Sequence, residues 1–266
     1  FLSVLGMGIG GAALATVIAS AAAFVVGLFA ARRIYPLGRK QSEPAVRREL
    51  MDAVRLGFPL ASQHIILAVG IMVLVWIIQS YGAVVLAAFT IVSRLELFTG
   101  MLFLDFSGAV TAFVAQNLGG ADRDRARRGL VRTLGLTVGL TAVVSAVVLL
   151  ARSPIAGLFT GDRATQELTE RYVLIIYPFL VLYTVMVVLH GYLNGSRRTT
   201  APLVCTLIAF VIVQVPFAYL LNGPFGIDAV MWAVVAGWTA GLTYTVHCLR
   251  DVLFARREVV ELKGAS

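Results

Sequence analysis

The chain has 266 residues, 59% of them hydrophobic and 14% charged, with a mean hydropathy of +0.89 and a formal net charge of +8. Soluble domains average roughly 45–50% apolar and about 25% charged residues, so a water-soluble fold is excluded. The basic excess does not read as nucleic-acid binding either, because the arginines stand at the ends of long apolar runs, where lipid head groups are the natural neighbours.

A hydrocarbon core of about 30 Å takes roughly 20 apolar residues as a helix. Runs of that kind predict an all-α polytopic bundle of about seven transmembrane helices, at residues 8–31, 56–79, 84–116, 133–151, 172–193, 203–221 and 227–249. The third run is longer than one crossing needs, which predicts tilt, a bend near Gly100 or an exposed outer turn. Between the first two runs, residues 32–55 form the longest polar stretch. There Pro44 can open a short amphipathic helix carrying Arg47, Arg48, Glu49 and Asp52. Cys205 and Cys248 fall inside apolar runs without metal or disulfide spacing and read as small apolar fillers. Gly135, Gly139, Ser145, Ala146, Gly237 and Gly241 are expected to allow close helix contact. Pro59, Pro178 and Pro216 are expected to kink or hinge their helices.

If the spans alternate, one side receives Arg32, Arg33, Arg39, Lys40, Arg47, Arg48, Arg55, Arg123, Arg125, Arg127, Arg128, Arg132, Arg197, Arg198, Arg250, Arg256, Arg257 and Lys263. The other receives Arg152, Arg163 and Arg171. The positive-inside rule makes the rich side cytoplasmic, with the C-terminus inside a plasma membrane and the first residue outside. A start at Phe1-Leu2-Ser3, with no initiating Met and no basic stretch before the first apolar run, reads as a truncated chain. Gly8, Ile9, Ala15, Val17, Ala22 and Arg32 recur at one fixed offset as Gly226, Ile227, Ala233, Val235, Ala240 and Arg250. That match suggests the closing helix of one repeat followed by a second, complete repeat.

An ionisable group at mid-bilayer costs about 2.5–3.5 kcal/mol on insertion scales, so each one needs a partner, water or a proton. The third run holds Arg94, Glu96 and Asp105. Arg94 and Asp105 share a face but stand about 16 Å apart along the axis, too far to pair. Asp105, among Met101, Leu102, Phe103, Leu104 and Phe106, reads as the deepest carboxylate. It is either a proton or cationic-substrate site or a structural hydrogen-bonding group. Glu96 is a second candidate, facing the outer half of a cavity, while Arg94 is expected to hold a carbonyl or a carboxylate of another helix. Gln63 and His64 can line a cavity or bond between helices, and Tyr177 and Tyr183 can offer a ring or hydroxyl to a lipophilic cation. His190 and His247 read as interfacial residues. An integral-membrane enzyme would require a clustered nucleophile, base or metal set, and the three histidines stand on separate spans.

The run Val114-Ala115-Gln116-Asn117-Leu118-Gly119-Gly120-Ala121-Asp122 leaves a span, turns on its glycines and restarts a helix at Asp122, ahead of a basic turn through Arg128. With Gly57-Phe58-Pro59, Ala87-Ala88 before Arg94, Gly195 through Pro202, Val215 through Tyr219 and Gly226-Ile227 in the same order, it resembles the multidrug and toxic compound extrusion family. Arg94 and the spacing from Ala88 to Gly119 look closest to the branch named for a DNA-damage-inducible member. Arg197 departs from the pattern, which usually repeats a glycine there. The resemblance implies half of a two-lobe transporter: residues 1–31 as the last helix of the N-terminal lobe, 32–55 as a cytoplasmic connector, 56–254 as the C-terminal six-helix lobe and 255–266 as a cytoplasmic tail. It implies a cation-coupled antiporter of organic, cationic and amphipathic compounds, with no cofactor and with the missing N-terminal lobe and the bilayer as partners. Sodium-coupled relatives carry acids where Leu67 and Tyr183 align here, which implies H+ rather than Na+ as coupling ion. A lipid-linked saccharide flippase of the same superfamily is the alternative.

Overall fold

The computed structural model describes residues 8–34, 43–220, 226 and 228–253, and among them the fold is all-α with no strand. The helices are α1 (Gly8–Ile34), α2 (Glu43–Gln79), α3 (Ala83–Gly119), α4 (Arg123–Leu150), α5 (Arg152–Phe159), α6 (Arg163–Ile176), α7 (Leu180–Gly195), α8 (Thr200–Thr206), α9 (Val215–Leu220) and α10 (Asp228–Leu253). A 3-10 turn at Tyr177–Phe179 joins α6 to α7, and a π-helical segment at Leu207–Gln214 joins α8 to α9. Two compact units divide between Ala53 and Val54. The first holds α1 and the start of α2; the second holds the remaining helices.

Six helical stretches are long and apolar enough to cross a membrane: Arg47–Gln79, Ala83–Gly119, Arg123–Leu150, Arg163–Gly195, Thr200–Leu220 and Asp228–Leu253. The expected seventh span, at the start of the chain, is the helix α1, in which the apolar stretch Val17–Ala30 is shorter than that. The polar stretch at residues 43–55 does not form a separate surface helix. It is the first part of α2, with Pro44 in the opening turn, where its missing N–H has no intrahelical partner to lose. α3 is helical without a break through Gly100. The prolines divide by position: Pro59 leaves α2 continuous, Pro178 sits in the 3-10 turn, and Pro216 follows the π segment. A proline cannot accept the close approach of the carbonyl four residues back, which is a sufficient cause for a locally tightened or widened turn.

Two turns at the same end of the second unit repeat one motif. After α3, Asp122 N–H donates to the Asn117 carbonyl and Ala121 N–H to Leu118; after α7, Arg198 N–H donates to Leu193 and Arg197 N–H to Asn194. Both are Schellman closures. The left-handed position in each is Ala121 (φ 59°) and Arg197 (φ 61°), so neither glycine of the Gly119-Gly120 pair supplies it. Asp122 then caps α4 by accepting from Arg125 N–H at 2.9 Å.

The spans Arg163–Gly195 and Asp228–Leu253 lie at the centre of the second unit, with 56% of their apolar windows buried against 22–28% for the others. α7 packs on α3 so closely that a Cβ on Gly191 would stand 2.5 Å from the Ser107 carbonyl oxygen, and one on Gly195 2.5 Å from that of Thr111. The same seam carries cross-helix hydrogen bonds from Ser107 Oγ to the Val187 carbonyl (2.8 Å) and from Thr111 Oγ1 to Gly191 (3.1 Å). Gly237 and Gly241 make comparably tight contacts, against the Ala209 carbonyl and Met186 Sδ, whereas Gly135 and Gly139 have nothing within 4 Å of an added Cβ. Two apolar clusters result. One surrounds Tyr172, Tyr177 and Trp238; the other gathers Val110, Val114, Leu130, Leu189, Tyr192 and Leu249 at the end bearing the two Schellman turns.

Candidate functional site

α3 distributes its charged residues by helical phase. Nine residues at roughly 100° each set Asp105 half a turn from Glu96. The buried residues Ala88, Val92, Phe103, Val110 and Val114 share the Glu96 side. Glu96 is therefore half-buried against the core, while Arg94 and Asp105 are exposed on the other face. Asp105 is not the innermost carboxylate of the unit. Its neighbours in sequence are apolar, but they point around the helix rather than over it. Among the described residues, neither Asp105 nor Arg94 makes a hydrogen bond or ion pair.

Glu96 stands within electrostatic reach of Tyr177 and Tyr183. The Tyr177 ring is fully buried, and its hydroxyl lies without a partner of normal hydrogen-bonding geometry among the described residues. Thr99, one turn after Glu96, donates to the carbonyls of Leu95 and Glu96. The Tyr183 ring packs against Trp238 at 5.4 Å between centroids, and Phe179 meets Trp232 edge-on at 5.7 Å. One carboxylate thus faces an aromatic wall built from the 3-10 turn, α7 and α10. Such a wall offers π faces to a cation and the carboxylate offers the countercharge.

Of the residues singled out in the sequence, the structure brings Glu96 and Tyr183 together and leaves Arg94, Asp105 and Gln63 outside that group. Gln63 turns back on its own helix, its Nε2 donating to the Pro59 carbonyl at 3.4 Å. Trp238 carried no signal beyond an aromatic inside an apolar run; only the packing of α10 on α7 selects it. His190 is not an interfacial residue. Its Nε2 lies 3.2 Å from Thr245 Oγ1 across the α7–α10 contact, and Thr245 in turn reaches Cys205 Sγ at 3.3 Å. Cys205 is buried as expected, but it also contacts the Gly241 carbonyl at 3.3 Å and Met186 Sδ at 3.7 Å. Among the described residues no group of three or more His, Cys, Asp or Glu could hold a metal ion.

The two ends of the unit differ in how arginine is held. At one end Arg152 pairs with Glu170 (3.7 Å), Arg163 with Glu167 (3.7 Å) and Arg171 with Asp228. At the end bearing the Schellman turns, Arg127 Nη2 donates to the Leu253 carbonyl at 3.3 Å, tying α4 to the close of α10.

The sequence model of the MatE family matches residues 59–220, more than half of the chain. Probable multidrug resistance protein YoeA of Bacillus subtilis is 26% identical over 224 residues, 81% of this chain and 48% of that protein. Probable multidrug resistance protein YpnP of the same organism is 26% identical over 234 residues, 85% of this chain and 51% of that one. The chain therefore spans about half the length of these relatives. Among solved structures, the Vibrio cholerae MATE transporter VcmN superposes with a TM-score of 0.85 at 17% identity, covering 96% of this chain and 59% of the other. These matches do not single out the DNA-damage-inducible branch. With the family's sequence model across the spans and the fold agreeing over nearly every helix, the chain belongs to the MatE family, a family of membrane transporters and not of enzymes.

Proposed function

We propose that this chain is the C-terminal lobe, with the last N-terminal-lobe helix, of a cation-coupled antiporter that exports organic cationic, amphipathic compounds by alternating access. The observation that carries the reading is the family match across residues 59–220, joined to carboxylates placed within a span. The relatives are described as multidrug resistance proteins, which favours drug export over the flipping of lipid-linked saccharides. Export of this kind needs no covalent chemistry. A substrate and a coupling cation that bind the inward and outward states unequally shift the balance between them.

Glu96, with Tyr177, Tyr183 and Trp238, offers a countercharge and π faces to an organic cation. Asp105, on the exposed face of the same helix, is the candidate for the coupling proton. Leu67 and Tyr183 standing where sodium-coupled relatives carry acids supports H+ over Na+. The test is efflux of a fluorescent lipophilic cation from vesicles containing the full-length protein, driven by an imposed pH gradient or an imposed sodium gradient. Asp105→Asn is expected to lower proton-driven efflux at least about tenfold, the scale of about 1.4 kcal/mol in one equilibrium. Glu96→Gln is expected to raise the apparent KM for the cation. Proton-driven efflux unchanged in Asp105→Asn removes that residue from coupling, and efflux driven by sodium alone overturns the choice of ion.

A further inference from the structure

Beside α7 and the Schellman turn that ends it lies a basic group that the transport reading does not use. The ring of Tyr192 is buried in the apolar cluster at this end of the unit. Its hydroxyl is within electrostatic reach of Arg123 and Arg127 from the start of α4 and of Arg198 from the turn before α8. Two separate turns of the chain therefore deliver three guanidinium groups to one phenol. Arg127 is held in place through Nη2 on the Leu253 carbonyl, and its Nε is buried without an acceptor among the described residues. Arg123 and Arg198 are exposed. None of the three has a carboxylate partner among the described residues, whereas Arg152, Arg163 and Arg171 at the opposite end each have one. The nearby acids do not offset the group: Asp122 is engaged in capping α4 through Arg125 N–H, and Asp124 is exposed on the first turn of α4.

We propose that Arg123, Arg127, Arg198 and Tyr192 form a binding site for the phosphate of an anionic lipid head group. Guanidinium forks match phosphate oxygens in geometry as well as charge, and a phenol adds a neutral donor. The site stands at the ends of α4 and α7, both parts of spans long enough to cross a bilayer, so it meets the head-group layer whichever side of the membrane that end occupies. Its occupancy would tie the start of α4 to the α7–α8 turn across the seam that Arg127 already bridges to α10. This site is independent of the transport reading, since lipid retention is measured without substrate or gradient.

Native mass spectrometry of the full-length protein, exchanged into detergent with equal phosphatidylglycerol and phosphatidylcholine, tests it. Wild type is expected to retain phosphatidylglycerol preferentially. The double variant Arg123→Gln/Arg198→Gln is expected to lose about fivefold of that preference per arginine, and Arg127→Lys, which keeps the charge but not the fork, to lose part of it. Arg152→Gln at the opposite end is expected to leave it unchanged. Should the double variant not purify as a single species, Tyr192→Phe and Arg198→Lys take its place with the same expected direction. Retention unchanged across the variants overturns the site. Displacement of the bound lipid by millimolar inorganic phosphate, with phosphate itself retained, assigns the arginines to a soluble anion and overturns the lipid.

Discussion

A left-handed backbone at a residue with a side chain is costly, roughly 1–2 kcal/mol, and this chain accepts it twice, at Ala121 and Arg197. Both complete a Schellman turn whose other hydrogen bonds are in place. Ala121→Gly is therefore expected to raise stability by about 1 kcal/mol, seen as a higher melting temperature in detergent with transport unaltered. A lowered melting temperature would mean the turn is not strained at that position. Asp162 gives a pH-dependent counterpart. Its carboxylate accepts from the Thr165 hydroxyl (2.6 Å) and amide (3.0 Å), and these bonds, the hydroxyl's first, hold its pKa below the usual carboxylate value. A depressed folded-state pKa stabilises above the unfolded value and ceases to do so as pH falls through the folded one. The loss of melting temperature in Asp162→Ala should thus be full at neutral pH and should vanish in acid below the ordinary carboxylate range.

Between elements, the decisive contact is the seam of α3 on α7. Gly191 and Gly195 are one helical turn apart, each facing a backbone carbonyl of α3 too close for a methyl group. Carbonyls cannot swing aside as the end of a side chain can, so the helices must separate. Gly191→Ala is expected to cost about 1–3 kcal/mol, as overpacking of a filled interior does, while Gly135→Ala, with open space around it, should cost almost nothing. Equal melting temperatures for the two variants would remove the seam from the account. The sequence drew attention to Gly135 and Gly139 and passed over Gly191 and Gly195. A small residue in an apolar helix records that close approach is possible, not that a neighbour is there. The phase of α3, by contrast, was legible once the buried face was known, because the separation of Glu96 and Asp105 is fixed at nine residues.

For the whole molecule, arginine placement and the antiparallel order of the spans make one prediction. The helices of the second unit alternate through short turns, with Arg123, Arg125, Arg127, Arg128, Arg197 and Arg198 at one end and the three acid-paired arginines at the other. The positive-inside rule then sets the first end in the cytoplasm. A membrane-impermeant maleimide is expected to label Gly161→Cys in intact cells and Arg128→Cys only after permeabilisation. The reverse pattern would invert the topology.

Composition and the spacing of apolar runs were enough to determine a helical membrane protein, because a bilayer admits few other solutions for a backbone whose polar groups find no water. The order of short motifs from Gly57 to Ile227 was enough to reach the family. The direct continuation of residues 43–55 into α2 and the start of the fourth crossing at Arg163 were not legible, since charged residues at a span end look alike whether they sit in a helix or a loop. Only the tertiary structure decided which polar groups meet. Glu96, Tyr177, Tyr183 and Trp238 come from α3, a 3-10 turn, α7 and α10; Arg123, Arg127, Arg198 and Tyr192 come from helix ends far apart in the chain. In an apolar sequence every face of a helix is nearly equally hydrophobic, so the face that turns inward is chosen by glycine seams and cross-helix hydrogen bonds, which exist only once the helices have packed.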